Sequence, residues 1–161
     1  ASLVAVQAAR IKINPINKVD ATLSKVSSIY VDSKDRAWIS TNDNGIWCMD
    51  KMSETKSFSS IKLGIPKSVG TCFYPCGKGN LLLGTDGAGL ILLDANNNVL
   101  KRWTVNDGLP SNNVLDIEKY QNGFILSFWG GNPVCLTLED DKLTPIVTNK
   151  LATPSNTVKD I

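Results

Sequence analysis

The chain has 161 residues, 42% hydrophobic and 20% charged, which is the composition of a globular protein with length for one ordinary domain or part of a larger one. Its net charge is only +2, and its lysines and arginines are scattered, so we expect no nucleic-acid partner, since phosphate binding needs clustered cations. Histidine is absent, which excludes Ser-His-Asp chemistry, histidine acid–base catalysis and mixed histidine metal sites.

The predicted elements are short strands arranged in three similar repeats. The first residues include "LVAVQAARIKI", which we interpret as a strand left over from a preceding repeat. Three segments then share one pattern: an apolar alternating stretch, a polar turn, a second apolar stretch, a Gly- or Asn-rich turn and a third apolar stretch. They are residues 26–50, 69–94 and 114–136. Short runs rich in β-branched, aromatic and aliphatic residues, bounded by turn residues, are typical of strands.

The repeat has a period close to 44 residues. Thr85 follows Thr41 by 44 residues, and Phe128 follows Thr85 by 43. A second anchor, after the Gly- or Asn-rich turn, is occupied by Gly45, Gly89 and Asn132. A period of this length with about four strands fits one propeller blade per repeat. The sequence therefore predicts an all-β fold, a β-propeller fragment of about three four-stranded blades with partial blades at both ends.

The predicted boundaries follow this period. Residues 1–24 are assigned to the end of a preceding blade and a linker, three blades follow, and the last residues begin the next blade. The blades are residues 25–68, 69–113 and 114–157, and the next blade starts at 158–161. Outer strands are predicted near residues 56–61, 99–105 and 143–148. Because typical propellers have four to eight blades, we predict that the chain is a fragment of a longer propeller.

Three stretches carry a resemblance to a known repeat. They are "VSSIYVDSKDRAWISTNDNGIW", "LLLGTDGAGLILLD" and the linker "GLPSNNVLDI". Together they resemble the two-component regulator propeller repeat, roughly V-x-x-I-x-x-D, a polar turn and W-I-G-T-x-x-G-G-L, over about residues 23–161. Ser40 stands for the usual glycine, "CFYPCGKG" lacks the aspartate, and Phe128 and Trp129 replace the usual Thr-Asp pair.

The resemblance implies a function that composition and spacing do not show. It implies the periplasmic sensor region of a hybrid two-component system from glycan-degrading gut bacteria, anchored in the inner membrane and joined to a histidine kinase and a transcription regulator. Its implied partners are an oligosaccharide ligand, the remaining blades of the parent chain and a second copy of the parent. We expect no enzymatic activity and no cofactor in this fragment. The alternatives are a propeller enzyme, such as a lyase or glycosidase, and a protein-interaction scaffold.

Candidate ligand-binding residues lie in the turns between second and third strands, which are predicted to share one rim. Trp129 stands in a Gly-rich turn, where an exposed indole would stack on a sugar ring; the alternative is a tryptophan that covers an unusual turn. The whole candidate set is Trp129, Asn132, Asn42, Asp43 and Asp86. No catalytic residue is predicted, because Asp50 and Asp94 are repeat equivalents at strand ends, where a turn-capping role is favoured.

The buried aromatic and thiol positions are also predicted from the repeat. Trp38 is expected in the core, and Trp103, in an outer strand, is expected to pack against the next blade. Two of the four cysteines, Cys48 and Cys135, share one repeat position with Leu92 and lie two blades apart, so they are predicted not to bond to each other. We expect them to behave as small buried apolar residues.

The pair Cys72 and Cys76 leaves alternatives open. Cys72 is matched to Ile29 on an inner strand, which favours a core thiol. Four residues of extended strand span ~13 Å, beyond the ~7 Å limit for a disulfide, so a bridge requires a turn at residues 74–75. Free core thiols are favoured over a Cys72–Cys76 bridge, and a metal site is least favoured because no histidine can complete it.

Overall fold

The computed structural model describes residues 25–50, 54–58, 63–64, 69–139 and 142–146. Within these ranges the chain forms twelve strands and one short 3-10 helix, Val105–Asp107. The strand predicted in residues 1–24 and the next blade predicted at residues 158–161 lie outside the described residues.

The twelve strands form three antiparallel sheets of four, each with its strands in chain order. Blade 1 comprises β1 (Val26–Val31), β2 (Ala37–Thr41), β3 (Gly45–Asp50) and β4 (Glu54–Phe58). Blade 2 comprises β5 (Val69–Pro75), β6 (Leu81–Asp86), β7 (Leu90–Leu93) and β8 (Val99–Trp103). Blade 3 comprises β9 (Val114–Tyr120), β10 (Gly123–Phe128), β11 (Gly131–Glu139) and β12 (Lys142–Ile146). The predicted all-β propeller fragment with four-stranded blades is confirmed.

The outer strand of blade 2, β8, ends earlier than the sequence predicts. It stops at Trp103 because Thr104 starts the 3-10 helix as its N-cap. The predicted ends of the other two outer strands, at residues 59–61 and 147–148, lie outside the described residues. The Asp107 carboxylate accepts hydrogen bonds from both the backbone N–H and the hydroxyl of Thr104, each at 2.9 Å. This reciprocal capping satisfies polar groups that a longer strand would have had to pair.

Blade 2 lies between the other two blades and is buried on both faces. Leu81 and Leu83 pack in one apolar cluster with Trp38 of blade 1, whereas Leu82, between them, packs in a second cluster with Phe124 of blade 3. Successive strand residues point to opposite faces, so an unbroken leucine run suits a sheet with no solvent-facing side. Full burial of each leucine contributes ~1.5–3 kcal/mol.

Two predicted core tryptophans are confirmed by this arrangement. Trp38 and Trp103 are each only 2% exposed. Trp103 belongs to the outer strand of blade 2 and joins the cluster that includes Phe124 and Leu126 of blade 3, as expected for packing against the following blade.

The inner strands β1, β5 and β9 carry a bulge at one repeat position. In each strand one residue has no partner in the neighbouring strand. This residue is Ser27 in β1, Thr71 in β5 and Leu115 in β9. The Ser27 hydroxyl donates to the backbone carbonyl of Gly70 at 3.0 Å, and the Thr71 hydroxyl donates to that of Val114 at 2.5 Å. Each hydroxyl therefore ties one blade to the next, while Leu115 has no hydroxyl to do so.

The strand register confirms one predicted equivalence. The repeat-equivalent pairs across the second and third strands are Trp38 with Cys48, Leu82 with Leu92, and Ile125 with Cys135. Cys48 and Cys135 thus occupy one position in different blades, as predicted.

The match of Cys72 to Ile29 is wrong by one residue. Cys72 pairs with Gly84 and Ser28 pairs with Ser40, so Cys72 corresponds to Ser28. The predicted repeats begin at Val26 and Val69, which are 43 residues apart. The strand pairing instead relates the inner strands of blades 1 and 2 by 44 residues. Cys72 is nevertheless buried, whereas Ile29 is 64% exposed.

Candidate functional site

The turns between second and third strands place repeat-equivalent residues at one rim. In blade 2 the Thr85 hydroxyl donates to the carbonyl of Gly89 at 2.7 Å and accepts the Ala88 N–H at 3.0 Å. Thr41 makes the same two contacts in the corresponding turn of blade 1. The next residue, Asn42 in blade 1 or Asp86 in blade 2, is exposed at the rim.

Blade 3 makes the same connection with a shorter turn. Phe128 stands where the other blades have threonine and pairs directly with Gly131, so that only Trp129 and Gly130 form the turn. Gly130 has a φ of 78°, a left-handed conformation that residues with side chains rarely adopt. The turn therefore needs no hydroxyl to organise it.

Asn132 does not take the place predicted for it. In blade 1 Gly45 pairs with Thr41, and in blade 3 the partner of Phe128 is Gly131. The blade 3 turn is one residue shorter, and the ladder absorbs the extra residue by shifting its register between Leu126 and Phe128. Asn132 consequently lies beyond the turn, inside β11.

Trp129 is fixed through its backbone and exposed through its side chain. Its N–H donates to the carbonyl of Asn113 at 2.9 Å, which ties the turn to the start of the inner strand. The residue is 71% exposed, the largest exposed fraction among the large hydrophobic residues in the described part of the chain. The ring therefore does not serve to cover its own turn, and a large apolar surface is left available to a ligand.

A groove of about 340 Å³ runs along this rim beside Trp129. Its walls are formed by the residues after the turn anchors, the bulged residues and the beginnings of the inner strands. They are Ser27, Asn42, Val69, Thr71, Asp86, Asn113, Val114, Leu115 and Trp129. All three blades contribute, and the volume lies at the lower end of the about 300–1,000 Å³ usual for small-molecule sites.

Three polar side chains of the groove have no hydrogen-bond partner among the described residues. Asn42, Asp86 and Asn113 make no side-chain hydrogen bond within the described part of the chain, whereas the hydroxyls of Ser27 and Thr71 already donate to neighbouring blades. The amides offer donors and acceptors and the carboxylate offers acceptors. The groove thus combines an aromatic surface with free hydrogen-bonding groups.

The structure brings together three of the five predicted ligand residues. Asn42, Asp86 and Trp129 line the groove. Asp43 does not line it and instead forms an ion pair with Lys25, at 3.1 Å between its Oδ2 and the Lys25 Nζ. Asn132 is exposed but also lies outside the groove.

Sequence reasoning missed the inner-strand side of the groove. Ser27 and Thr71 stand 44 residues apart and both carry a hydroxyl, so the period alone contained a signal for them. Asn113, directly before β9, was hidden because its contribution depends on the packing of the Trp129 turn against the inner strand.

The opposite end of the blades carries a charged cluster at the β1–β2 turn. The Asp32 carboxylate accepts hydrogen bonds from Arg36 Nε at 2.7 Å and from Trp38 Nε1 at 3.0 Å. Burial raises the pKa of Asp32, but hydrogen bonds from Trp38, Arg36 and Lys34 outweigh it and hold the pKa below its ordinary value. These residues line a cavity of about 160 Å³ between blades 1 and 2.

The predicted capping role of Asp94 is confirmed. Its carboxylate accepts the backbone N–H groups of Asn96 and Asn98, both at 2.8 Å, and the Asn98 side-chain amide at 3.0 Å. The hydrogen bonds from Asn98 are the main reason that the pKa of Asp94 lies below its ordinary value. The side chain of its repeat equivalent, Asp50, lies outside the described residues.

All four cysteines are free thiols in the structure. Burial raises the pKa of both Cys72 and Cys76 to about 11. At neutral pH these thiols are therefore almost entirely protonated, and the thiolate that drives oxidation and metal binding is scarce. In the described part of the chain, no three histidine, cysteine, aspartate or glutamate side chains are grouped to hold a metal ion.

Two solved structures are similar to this chain. The extracellular domain of the hybrid two-component system BT3049 from B. thetaiotaomicron aligns with a TM-score of 0.64 at 21% identity, over 74% of this chain and 16% of that one. PorZ, a surface component of the type-IX secretion system of Porphyromonas gingivalis, aligns with a TM-score of 0.54 at 20% identity, over 66% of this chain and 16% of that one. At these identities the likeness shows the fold.

The sequence itself matches no family profile and no curated protein. The chain spans only about one-sixth of either solved structure, 16% in each case. The first match is nevertheless to the class of protein that the repeat pattern resembles, the extracellular part of a hybrid two-component system. None of the helices among the described residues has the length and apolar character needed to cross a membrane.

Proposed function

We propose that this chain is the ligand-sensing part of an extracytoplasmic β-propeller and that its rim groove binds an oligosaccharide. The observation that carries the proposal is one groove that holds the exposed Trp129 ring together with the side chains of Asn42, Asp86 and Asn113, which make no hydrogen bond within the described part of the chain. Sugars present apolar C–H faces and a dense set of hydroxyl donors and acceptors, which these groups match. The likeness to an extracellular sensor domain supports the same assignment.

The small number of carboxylates in the groove favours binding over catalysis. Most glycosidases need two carboxyl groups flanking the scissile bond. Among the described lining residues only Asp86 carries one, because the neighbouring Asp43 is paired with Lys25 outside the groove. We therefore propose that the fragment recognises its ligand without cleaving it.

The signalling step belongs to the parent protein. We propose that it is anchored in the inner membrane, with the sensor in the periplasm, and that it acts as a homodimer connected to a histidine kinase and a transcription regulator. A ligand shifts such an equilibrium only by the difference in its affinity for the two states. A groove that draws on all three blades supports this idea, because a ligand there favours one relative arrangement of the blades.

The decisive experiment is calorimetric titration of the parent ectodomain with a panel of oligosaccharides, using wild-type protein and a Trp129→Ala variant. We expect the variant to lose at least about tenfold in affinity, which corresponds to about 1.4 kcal/mol. Stability should stay within about 0.5 kcal/mol of wild type, because the ring is 71% exposed.

The matched control is Tyr120→Ala. Tyr120 is another exposed aromatic residue of blade 3, at 45%, and stands at the far end of β9 from the groove. The Tyr120→Ala variant should bind the oligosaccharides with the affinity of the wild type. Unchanged affinity in Trp129→Ala, or equal losses in both variants, would contradict the proposed site.

A further inference from the structure

The charge of the rim groove restricts which sugars it can accept. Given the oligosaccharide-binding function proposed above, on which this step rests, we infer that the groove selects uncharged oligosaccharides and rejects those carrying uronate or sulfate groups. The selection comes from Asp86, which makes the wall of the groove anionic.

Asp86 is the one charged side chain among the nine described residues that line the groove. No lysine or arginine stands among these nine. A carboxylate accepts hydrogen bonds and donates none, so it pairs readily with sugar hydroxyls and not with a second carboxylate or a sulfate. An anionic substituent would meet a like charge, with no opposite charge among the described wall residues to offset its lost hydration.

The Lys25 ammonium group, which belongs to a residue adjoining the groove, is already paired. The backbone carbonyl of Lys25 accepts the N–H of Asn42, which places Lys25 beside the lining residues. Its ammonium group lies 3.1 Å from the Asp43 carboxylate. If Lys25 turned to an anionic ligand, it would exchange one ion pair for another and leave Asp43 unpaired. Both side chains of the pair are also exposed to solvent, so an ion pair made by Lys25 here is weak and offers an acidic sugar little advantage.

The remaining polar walls suit neutral sugars. The Asn42 and Asn113 amides each have donors and an acceptor without a partner in the described part of the chain. Hydroxyl groups satisfy both functions of an amide, whereas an ionised carboxylate or sulfate satisfies only the donors. Side-chain amides and a carboxylate beside an exposed indole thus form a recognition surface for hydroxyls and C–H faces.

The test uses pairs of sugars that differ only in charge. Each acidic member of a panel of di- to tetrasaccharide uronates is compared with its carboxyl-reduced form, which keeps the linkages and replaces the carboxylate by a neutral hydroxymethyl group. Titrations use the parent ectodomain as wild type, Asp86→Asn and Asp35→Asn. The Asp35→Asn variant removes the same charge from an exposed turn outside the groove. Asp35 has a φ of 57°, a backbone conformation that asparagine tolerates.

We expect the reduced form of any recognised sugar to bind wild type at least about tenfold tighter than its acidic parent. Asp86→Asn should shrink that ratio to about threefold or less by improving the acidic member, and Asp35→Asn should leave it unchanged. Acidic members that bind as well as or better than their reduced forms would overturn the inference while the oligosaccharide function stood. An unchanged ratio in Asp86→Asn would also overturn it. Failure of every sugar to bind would overturn both proposals.

Discussion

The interface between blades 1 and 2 and the interface between blades 2 and 3 solve one packing problem in opposite ways. At the first, Ser40 of the second strand faces Gly70 on the next inner strand, and a Cβ on Gly70 would lie 2.8 Å from the Ser40 hydroxyl. At the second, Gly84 occupies the serine position and Val114 the glycine position, with a Cβ on Gly84 3.0 Å from the Val114 side chain.

In both interfaces a small residue faces a larger one, but the two sizes are exchanged between the strands. The combined size of the facing pair is therefore kept, and the size of each single residue is not. The glycine usual in this type of repeat is present at Gly84 and replaced at Ser40, and the replacement is matched by the loss of a side chain at Gly70. Interiors packed at crystal-like density tolerate such reciprocal changes and resist unilateral ones. A departure at one repeat position therefore predicts a compensating departure in the following blade.

The largest expected effect comes from breaking this balance with Gly84→Ser. The new Cβ would overlap the Cys72 sulfur and lie 3.0 Å from both the Thr71 hydroxyl and the Val114 side chain. We expect a loss of about 2–3 kcal/mol in the free energy of unfolding, typical of overpacking. Urea denaturation of the ectodomain measures it.

The reverse change, Ser40→Gly, is the matched control for that variant. The Ser40 hydroxyl is buried without a hydrogen-bond partner in the described part of the chain. Its removal should cost only about 0.5–1 kcal/mol, the backbone penalty of glycine in a strand. Gly70→Val should be destabilising alone and less so with Ser40→Gly, which recreates the Gly84–Val114 pair. Additive effects of these two substitutions would show that the sites are independent and would refute reciprocal packing.

A smaller effect distinguishes the two inter-blade hydrogen bonds. Thr71→Val removes the hydroxyl that reaches the Val114 carbonyl at 2.5 Å and keeps the side-chain shape. Ser27→Ala removes the equivalent contact to Gly70 at 3.0 Å. We expect losses of about 1 and about 0.5 kcal/mol respectively, because the first bond is shorter.

Hydrogen exchange of the inner-strand amides, measured by mass spectrometry, locates these losses. Protection should fall at the β5–β9 contact in Thr71→Val and at the β1–β5 contact in Ser27→Ala. If both variants lowered protection equally across all three blades, the hydroxyls would not act as local ties between neighbouring blades.

The smallest expected effect is a pH dependence confined to the first interface. Asp32 has its pKa held below the ordinary value of 3.8, whereas its repeat equivalent in blade 2 is Cys76. A lowered folded-state pKa stabilises the protein above the unfolded-state value, and this stabilisation is lost as pH falls through the folded-state pKa. The difference in the free energy of unfolding between wild type and Asp32→Asn should therefore have its full size above about pH 5 and become smaller below about pH 4.

Urea denaturation between pH 3 and pH 7 checks this, with Asp35→Asn as the control. Asp35 stands in the same turn with an exposed side chain that makes no hydrogen bond in the described part of the chain, so this variant reports what altering the turn does without removing the Asp32 hydrogen bonds. A gap between wild type and Asp32→Asn that stayed constant down to pH 3 would show that the Asp32 cluster does not contribute through its charge.

The period and the alternation of apolar residues were sufficient to predict the blades, because each blade is a local unit of strands and tight turns. They also placed Asn42, Asp86 and Trp129 at one rim, since residues after equivalent turn anchors must share an edge of the sheets. The errors arose where register depends on non-local pairing. The match of Cys72 to Ile29 missed the inner-strand bulge, and the placement of Asn132 missed the shortened turn of blade 3.

By itself, the sequence determined the fold class, the order of strands and the buried character of residues such as Trp38 and Leu82, because these follow from short-range periodicity. Only the tertiary structure decided which rim residues meet. The groove needs the inner strands of all three blades side by side, with bulged Ser27 and Thr71 beside Trp129. Such proximity depends on how one sheet packs against the next, and inter-sheet packing is set by side-chain volumes that no single repeat contains.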